Sequence, residues 1–304
     1  MTLMSTRTPD RYPTRVPGAA RLIERTDPTV WARQDSGPID QATLASHNAK
    51  GYSIDEAVLS KHEVQAYWDE LVRLTSLPDL RGDERVVVEK ESQEIRSIFE
   101  VHQISALIAE LIRDPRILDR ARQLLGSEVY VHQSRVNFMP GFKGKGFYWH
   151  SDFETWHAED GMPAPRAVSM SLALTANFAF NGGLMVMPGS HRTFVPCMGE
   201  TPADHYKASL KEQEIGVPSQ ENITTLATTH GIDQFTGSAG SAIWFDANIM
   251  HGSANNITPF PRSNVFVVFN SVDNALEAPF AAPSPRPTFI ASRDFTPLDR
   301  SPRV

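Results

Sequence analysis

The chain has 304 residues and a single cysteine, Cys197. One thiol excludes an intrachain disulfide framework and fits a reducing compartment. No apolar run approaches the ~18 residues that a membrane helix needs. The N-terminal stretch MTLMSTRTPDRYPTR carries arginines but lacks the apolar segment of a secretory signal. A dense basic stripe is also missing. Lys and Arg number 29 against 36 Asp and Glu, a formal net charge of −7, which argues against nucleic acid as a partner. Internal repeats are absent. These absences lead to the expectation of a soluble, cytoplasmic protein. What is present is ordinary globular material, 40% apolar and 21% charged, ample for a core.

The length allows two domains, or one β-sandwich or barrel with insertions. Residues 1–50 are rich in Pro, Arg, Thr and Asp without sustained periodicity. They read as an N-terminal extension whose first ~15 residues are mobile, ahead of a single domain over 51–304. Ser60 and Glu63 have the spacing of a capping box, followed by Val64, Tyr67, Trp68, Leu71 and Leu74 at helical intervals. A second helix carries Ile104, Leu107, Ile108, Leu111 and Ile112. A third starts near Pro115 and stops at Gly126. The period then changes from helical to alternating. In EVYVHQSRVNF (128–138), Val129, Val131, Gln133, Arg135 and Asn137 fall on one face. AVSMSLALT, GGLMVMPGS, SAIWFDANIM and NVFVVFNSV are short, apolar and bounded by turn residues. Helices over about 60–126, followed by strands over about 128–290, read as helices packed on a β-sandwich or barrel. Residues 195–235 lack a strand pattern and read as a lid-like insertion.

The stretch FYWHSDFETWHAEDGMPAPR (147–166) crowds histidines, acids and tryptophans together. Carboxylates are rarely buried without a partner, and a metal would account for the cluster. In an extended strand His150 and Asp152 project together while Ser151 faces away. With a distant His they make a two-His-one-carboxylate triad, which leaves three metal positions open. IWFDANIMHGS ends a strand with His251, at a separation that suits strands on opposite sides of a jelly roll. Arg262 opens the next strand, where it can reach a chelated dicarboxylate through a bidentate salt bridge.

HxD, PGSH, HGS and the trailing arginine resemble the phytanoyl-CoA dioxygenase superfamily of Fe(II)/2-oxoglutarate oxygenases. Within it, FYWHSDFETWHAEDGMPAPRAVSMSLALTAN (147–177) is similar to the long contiguous motif of the ectoine hydroxylases. The resemblance runs from about Tyr52 to Arg293. It implies a fold that is mainly β with flanking helices, built on a double-stranded β-helix (jelly roll, cupin-like) core. It implies Fe(II) on His150, Asp152 and His251, with O2 and 2-oxoglutarate as cosubstrates. Arg262 would meet the distal carboxylate of 2-oxoglutarate, helped by Ser169 and Ser253, with Asn137 near the chelated end. Gln133, Trp156, Phe245, Phe266 and Arg286 would surround the substrate, ectoine, and the protein would be a homodimer. No motif covers the first 15 or so residues or the last few, and nothing is carried onto them.

Other readings stand beside these. His47, His62, His102, His205 and His230 read as structural or solvated, and His191 in PGSH as a hydrogen-bonding turn residue. His157 either competes for the metal or joins Glu154, Glu159 and Asp160 in a network bracing the loop. Trp149 and Trp244 read as packing residues. Arg135 is either a salt-bridge residue or a second anion contact. The implied reaction is hydroxylation of ectoine to 5-hydroxyectoine with release of succinate and CO2, a step in making a compatible solute for osmotic stress. The alternatives are a related oxygenase acting on another small zwitterion, or a metal-binding jelly roll without turnover.

Overall fold

The computed structural model describes residues 8–18, 21–32, 37–89, 94–210 and 215–301. Its helices are α1 (Gln41–Lys50), α2 (Lys61–Thr75), α3 (Val101–Ile104), α4 (Ala106–Arg113), α5 (Pro115–Leu125), α6 (Asp152–Thr155), α7 (Tyr206–Ser209) and α8 (Gln220–His230). The first strands are β1 (Ile23–Glu24), β2 (Tyr52–Asp55), β3 (Val86–Val88), β4 (Ile95–Phe99), β5 (Val129–Met139) and β6 (Phe147–His150). There follow β7 (Ala167–Ala173), β8 (Leu184–Val186), β9 (Thr193–Phe194), β10 (Asp233–Gln234), β11 (Ala242–Asp246), β12 (His251–Ser253) and β13 (Arg262–Ser271). No helix among the described residues is long and apolar enough to cross a membrane.

Two antiparallel sheets face each other, as the jelly-roll expectation requires. The larger has seven strands in the order β2-β11-β7-β13-β5-β4-β3, and the smaller has four in the order β10-β8-β12-β6. Alternation along each strand splits the larger sheet into two chemistries. Val168, Met170, Leu172, Trp244, Val265, Val267 and Phe269 point toward α2, α4 and α5 and pack with Leu71, Ile108 and Leu118. Phe245, Phe266 and Val268 point the other way, with Val186 of the smaller sheet among them. The site lies on this second side.

The helices form where the local signals place them, with one break. Ser60 and Glu63 close the capping box that starts α2: Ser60 N–H donates to Glu63 Oε2 at 2.7 Å and Glu63 N–H to Ser60 Oγ at 3.3 Å. The second expected helix is divided at Ser105, which is extended (φ −132°, ψ 112°) and caps α4 by accepting from Ile108 N–H. Ile104 therefore belongs to the short preceding helix, because the capping hydroxyl needs a non-helical backbone. α5 begins at Pro115 and ends at Gly126 in the left-handed conformation, as expected.

Several strand expectations are corrected. The register of β5 against β13 shifts between Val268↔Gln133 and Phe269↔Val131, leaving His132 as an extra residue. One extra residue reverses the facing of everything beyond it. Val129 and Val131 thus lie under the helices, while Gln133, Arg135 and Asn137 line the cavity on the opposite face. β11 ends at Asp246, so His251 starts a separate strand in the other sheet. There it pairs directly with His150, as a neighbour rather than from the opposite side. The strand of His150 also ends at that residue, and Asp152 is the first residue of α6.

The 195–235 stretch is not a structureless loop. It contains α7 and α8, the latter capped by Ser219, whose side chain accepts from Asn222 N–H, while residues 211–214 lie outside the described residues. The N-terminal segment also differs from the mobile extension expected. Tyr12 is 2% exposed and Arg15 is buried, with residues 1–7 outside the described residues. The segment 1–50 further contains α1, capped by Asp40, which accepts from Thr43 N–H.

Gly126 has φ +60°, and a Cβ there would come within 2.6 Å of Trp31 O. Gly126→Ala is expected to lower unfolding free energy by more than about 1 kcal/mol in a denaturant titration, combining left-handed strain with a backbone clash. An unchanged midpoint would show that α5 ends by other means.

Candidate active site and metal centre

β6 and β12 run antiparallel with His150 opposite His251, so the two side chains leave the sheet on the same face. Their ring centroids are 4.2 Å apart. Ser151 is still extended (φ −108°, ψ 128°) before the chain turns into α6, which brings Asp152 round to the same point. Asp152 Oδ1 lies 3.6 Å from His150 Nε2, and Oδ2 lies 3.8 Å from His251 Nε2. Among the described residues these three form the one cluster of His, Cys, Asp or Glu able to hold a metal ion.

The turn from β11 to β12 fixes these positions. Asn248 Nδ2 donates to His191 O and Thr193 O, Arg25 Nη1 donates to Asp246 Oδ1 at 2.6 Å, and Phe153 N–H donates to Ala247 O at 2.8 Å. The last bond ties the start of α6 to the loop that delivers His251.

The protonation pattern suits a cation. His150 Nδ1 is 2.7 Å from Tyr148 O and His251 Nδ1 is 3.1 Å from Ile249 O. A carbonyl can only accept, so each Nδ1 carries a hydrogen, and Nε2, on the Asp152 side, is the nitrogen left to bind a metal. Burial, together with His150, lowers the His251 pKa to about 4, so the ring is neutral at physiological pH. Burial alone would raise the Asp152 carboxyl; positive charge at His251 and His150 when those rings are protonated, and at Arg135, holds it well below the usual carboxylate range. Beside neutral rings, a bound cation can fill that place. Ser169 Oγ donates to Asp152 Oδ2 at 3.5 Å.

The triad opens into a cavity of about 170 Å³. Asn137, Ser253, Arg262, Gln133, Trp156, Phe245, Phe266 and Arg286, all expected at the site, line it. Ser169, expected beside the cosubstrate, does not. It is fully buried between its register partners Phe245 and Val268, and its place on the wall is taken by Ser171.

Arg262 has no carboxylate partner among the described residues. Its Nε is buried without a hydrogen bond, and Nη2 reaches only Met139 Sδ at 3.8 Å. Burial lowers its pKa to about 10, which leaves it cationic. An unneutralised guanidinium at a cavity wall is an anion site waiting for its charge.

Arg286 is already paired. Its Nε and Nη2 donate to the two oxygens of Asp160 at 2.8 and 2.6 Å. Arg135 stacks over Phe266 at 4.3 Å and donates to Gln133 Oε1 at 2.9 Å. Gln133 Nε2 donates in turn to Ile290 O at 2.8 Å, so both ends of its amide are engaged. Arg135 forms no salt bridge among the described residues.

His157 is not part of the ligand cluster. It is fully buried, 2.8 Å from Met162 O and 3.0 Å from Asp10 Oδ1, and stacked on Phe280 with centroids 4.0 Å apart. The neighbouring acids do form a network, but with partners from elsewhere: Glu154 and Glu159 with Arg15, Glu159 also with His205, and Asp160 with Arg286. His191 is buried and hydrogen-bonded near Asn48 O. Trp244 packs against Phe269.

Sequence reasoning missed Ser97, Ser171 and Asn264. Ser97 Oγ donates to Asn137 Oδ1 at 2.8 Å and Asn264 Nδ2 to Ser171 Oγ at 2.6 Å. Ser171 and Asn264 were within reach, since they share the strand faces of Ser169 and Phe266. Arg15 carried no local signal at all.

Two imidazoles and a carboxylate on one side of an open cavity are the donor set of the non-haem Fe(II) oxygenases, and that is the class this fold and site define. The chain belongs to the phytanoyl-CoA dioxygenase (PhyH) family, whose model matches residues 48–264. It is similar to the ectoine dioxygenase of Nocardia farcinica, 65% identical with 95% of each chain covered. It is also similar to that of Streptomyces coelicolor, 56% identical over 98% of this chain and 100% of the relative. A crystal structure of EctD from S. alaskensis with 2-oxoglutarate and 5-hydroxyectoine superposes with a TM-score of 0.85, at 46% identity, covering 94% of this chain and 95% of that one. The same protein with bound Fe gives 0.87 at 45% identity, covering 96% and 98%.

Alanine at His150, Asp152 or His251 is expected to abolish Fe(II) binding measured by metal analysis, with an unchanged far-UV spectrum, since three ligands leave none to spare. His157→Ala should weaken binding by less than about 10-fold, because the ring touches no ligand. Equal loss in His157→Ala would place the metal elsewhere.

Proposed function

We propose that this protein is an Fe(II)- and 2-oxoglutarate-dependent dioxygenase that hydroxylates ectoine to 5-hydroxyectoine, releasing succinate and CO2. One observation carries the reading: the His150–Asp152–His251 cluster and the unneutralised guanidinium of Arg262 open into the same cavity. A metal site alone needs no such cation; a site that takes a chelating dicarboxylate does. The similarity to EctD from S. alaskensis, crystallised with 2-oxoglutarate and 5-hydroxyectoine, supports the choice of cosubstrate and substrate.

The Nε2 atoms of His150 and His251 and the carboxylate of Asp152 hold the iron on one face. Bound there, Fe(II) supplies the O2 chemistry that converts 2-oxoglutarate to succinate and CO2 and transfers the second oxygen atom to ectoine. Arg262 takes the distal carboxylate, Ser253 supports it, and Asn137, held by Ser97, stands toward the chelated end. Ser169 acts through Asp152, as the carboxylate's hydrogen-bond donor. Ectoine is a small zwitterion with a delocalised amidinium and a carboxylate. Trp156, Phe245 and Phe266 offer faces to the cation and exclude water, while Gln133 and Arg286 complete the pocket for the polar groups. The same reading takes residues 51–304 as one catalytic domain. It takes the protein as a cytoplasmic homodimer that serves osmotic stress; the buried, unpaired Cys197 suits a reducing compartment.

An aerobic assay with Fe(II), 2-oxoglutarate and ectoine, followed by mass spectrometry, is expected to show ectoine-dependent succinate and a product one oxygen heavier. Succinate release indifferent to ectoine would sink the substrate assignment. Arg262→Ala should raise the 2-oxoglutarate requirement about 100-fold or more while sparing Fe(II) binding. Arg262→Lys should recover only part, as an ammonium cannot form the bidentate pair. Trp156→Ala should raise the ectoine requirement roughly 2–30-fold and Trp156→Phe should restore most of it. Identical ectoine titrations would make Trp156 a packing residue.

A further inference from the structure

Between Asp152 and Asp160 the chain makes the short helix α6 and then a π-type turn, Trp156–Asp160. This segment carries one metal-site carboxylate and one ring of the cavity wall. Wide turns of this kind are costly local geometry and need outside support. The support comes from the far end of the sequence. Arg15 Nε and Nη2 donate to Glu154 Oε1 and Oε2 at 2.7 and 2.9 Å. Arg15 Nη2 also donates to Glu159 Oε1 at 3.2 Å. One guanidinium therefore grips the turn on both sides of Trp156. The arginine side chain is 1% exposed and each glutamate 2%, so neither acid has water to fall back on.

Arg15 is itself held in a conformation that only its surroundings explain. Its φ is +57°, in the left-handed region that non-glycine residues avoid. Its N–H donates to Cys197 O at 2.9 Å, and Val16 bridges to Met198. A side chain on Gly216 would collide with Arg15 Nη2 and bring a Cβ within 2.9 Å of Glu154 Oε2. Thr14 Oγ1 adds a bond to Glu154 Oε1 at 2.7 Å, and His205 Nδ1 sits 3.0 Å from Glu159 Oε1. Four residues beyond His205, Ser209 and then Leu210 reach the cavity. Stretches 14–16, 154–159 and 197–201, with His205 and Gly216, thus meet around one side chain.

We propose that Arg15 is a positioning residue for the reaction: by spanning Glu154 and Glu159 it sets the turn that aims Asp152 and Trp156 into the cavity. The inference rests on the functional reading above and adds a residue outside the cavity to it. Loss of the guanidinium leaves Glu154 without a salt-bridge partner among the described residues and Glu159 with His205 alone, and the turn must open to hydrate the stranded charge. Substrate is then held loosely beside an otherwise intact iron site, which uncouples cosubstrate consumption from hydroxylation.

The test compares wild type, Arg15→Met and the double variant Arg15→Met/Glu154→Gln, which removes one stranded charge and keeps the fold accessible. Hydrogen exchange is read on the metal-free protein, and succinate and 5-hydroxyectoine are counted in turnover. We expect exchange in residues 152–160 to accelerate by about 10-fold or more with β13 unaffected, succinate to exceed 5-hydroxyectoine by about 2-fold or more, and the ectoine KM to rise about 5–50-fold, in both variants. A purely stabilising ion pair predicts otherwise: the double variant would show wild-type coupling and KM, and that result overturns the proposal. Unchanged exchange in the turn overturns it as well. Should the wild type show no ectoine-dependent succinate, the functional reading fails, and the exchange measurement alone then decides whether Arg15 sets the turn.

Discussion

The site rests on one antiparallel pairing. Where His251 lies opposite His150, the sheet geometry aims two imidazoles at the same point. A slip of one residue on either strand would turn one ring to the other face. The surrounding contacts protect that register. Asn248 and Arg25 pin the turn that feeds His251, and Phe153 N–H bonds to the same turn, so the third ligand moves with the first two.

Charge compensation shapes the rest. Arg15, Arg25 and Arg286 each meet a buried carboxylate, and each braces a segment beside the cavity. Arg262 and Arg135 meet none that forms a salt bridge with them among the described residues, and both line the cavity. The interior thus separates guanidinium groups that build the frame from those whose counter-charge must arrive with a ligand. For Asp160, burial would raise the carboxyl, but Arg286 and His132 hold it below the usual range, so the frame stays ionised.

Much of this was legible in the sequence because the signals were local. The capping box of α2, the Pro115 start and Gly126 stop of α5, and the HxD motif each depend on residues a few positions apart. The failures were of two kinds. His132 disrupts the alternation of β5 with no mark in composition, since a bulge is defined by the partner strand rather than by the bulged residue. Asp152 was placed correctly for an incomplete reason. The two-residue spacing from His150 survives because Ser151 stays extended, although the strand has already ended. Arg15, which pairs with Glu154 and Glu159, and Asp10, beside His157, lie in the first 15 residues, a separation no periodicity reports. Ser169 was assigned to the cavity wall because nothing in the strand pattern says that Phe245 and Val268 cover it.

The bulge at His132 also makes β5 two strands spliced into one. Before the joint the odd-numbered Val129 and Val131 face the helices; beyond it the odd-numbered Gln133, Arg135 and Asn137 face the cavity while Val136 takes the helix side. An unbroken strand would keep Val129, Val131, Gln133, Arg135 and Asn137 all on one face. Here the joint reverses that parity. One odd-numbered series thereby serves the apolar core on one side of the joint and the polar cavity on the other, and removing a single residue would turn the polar members into the core.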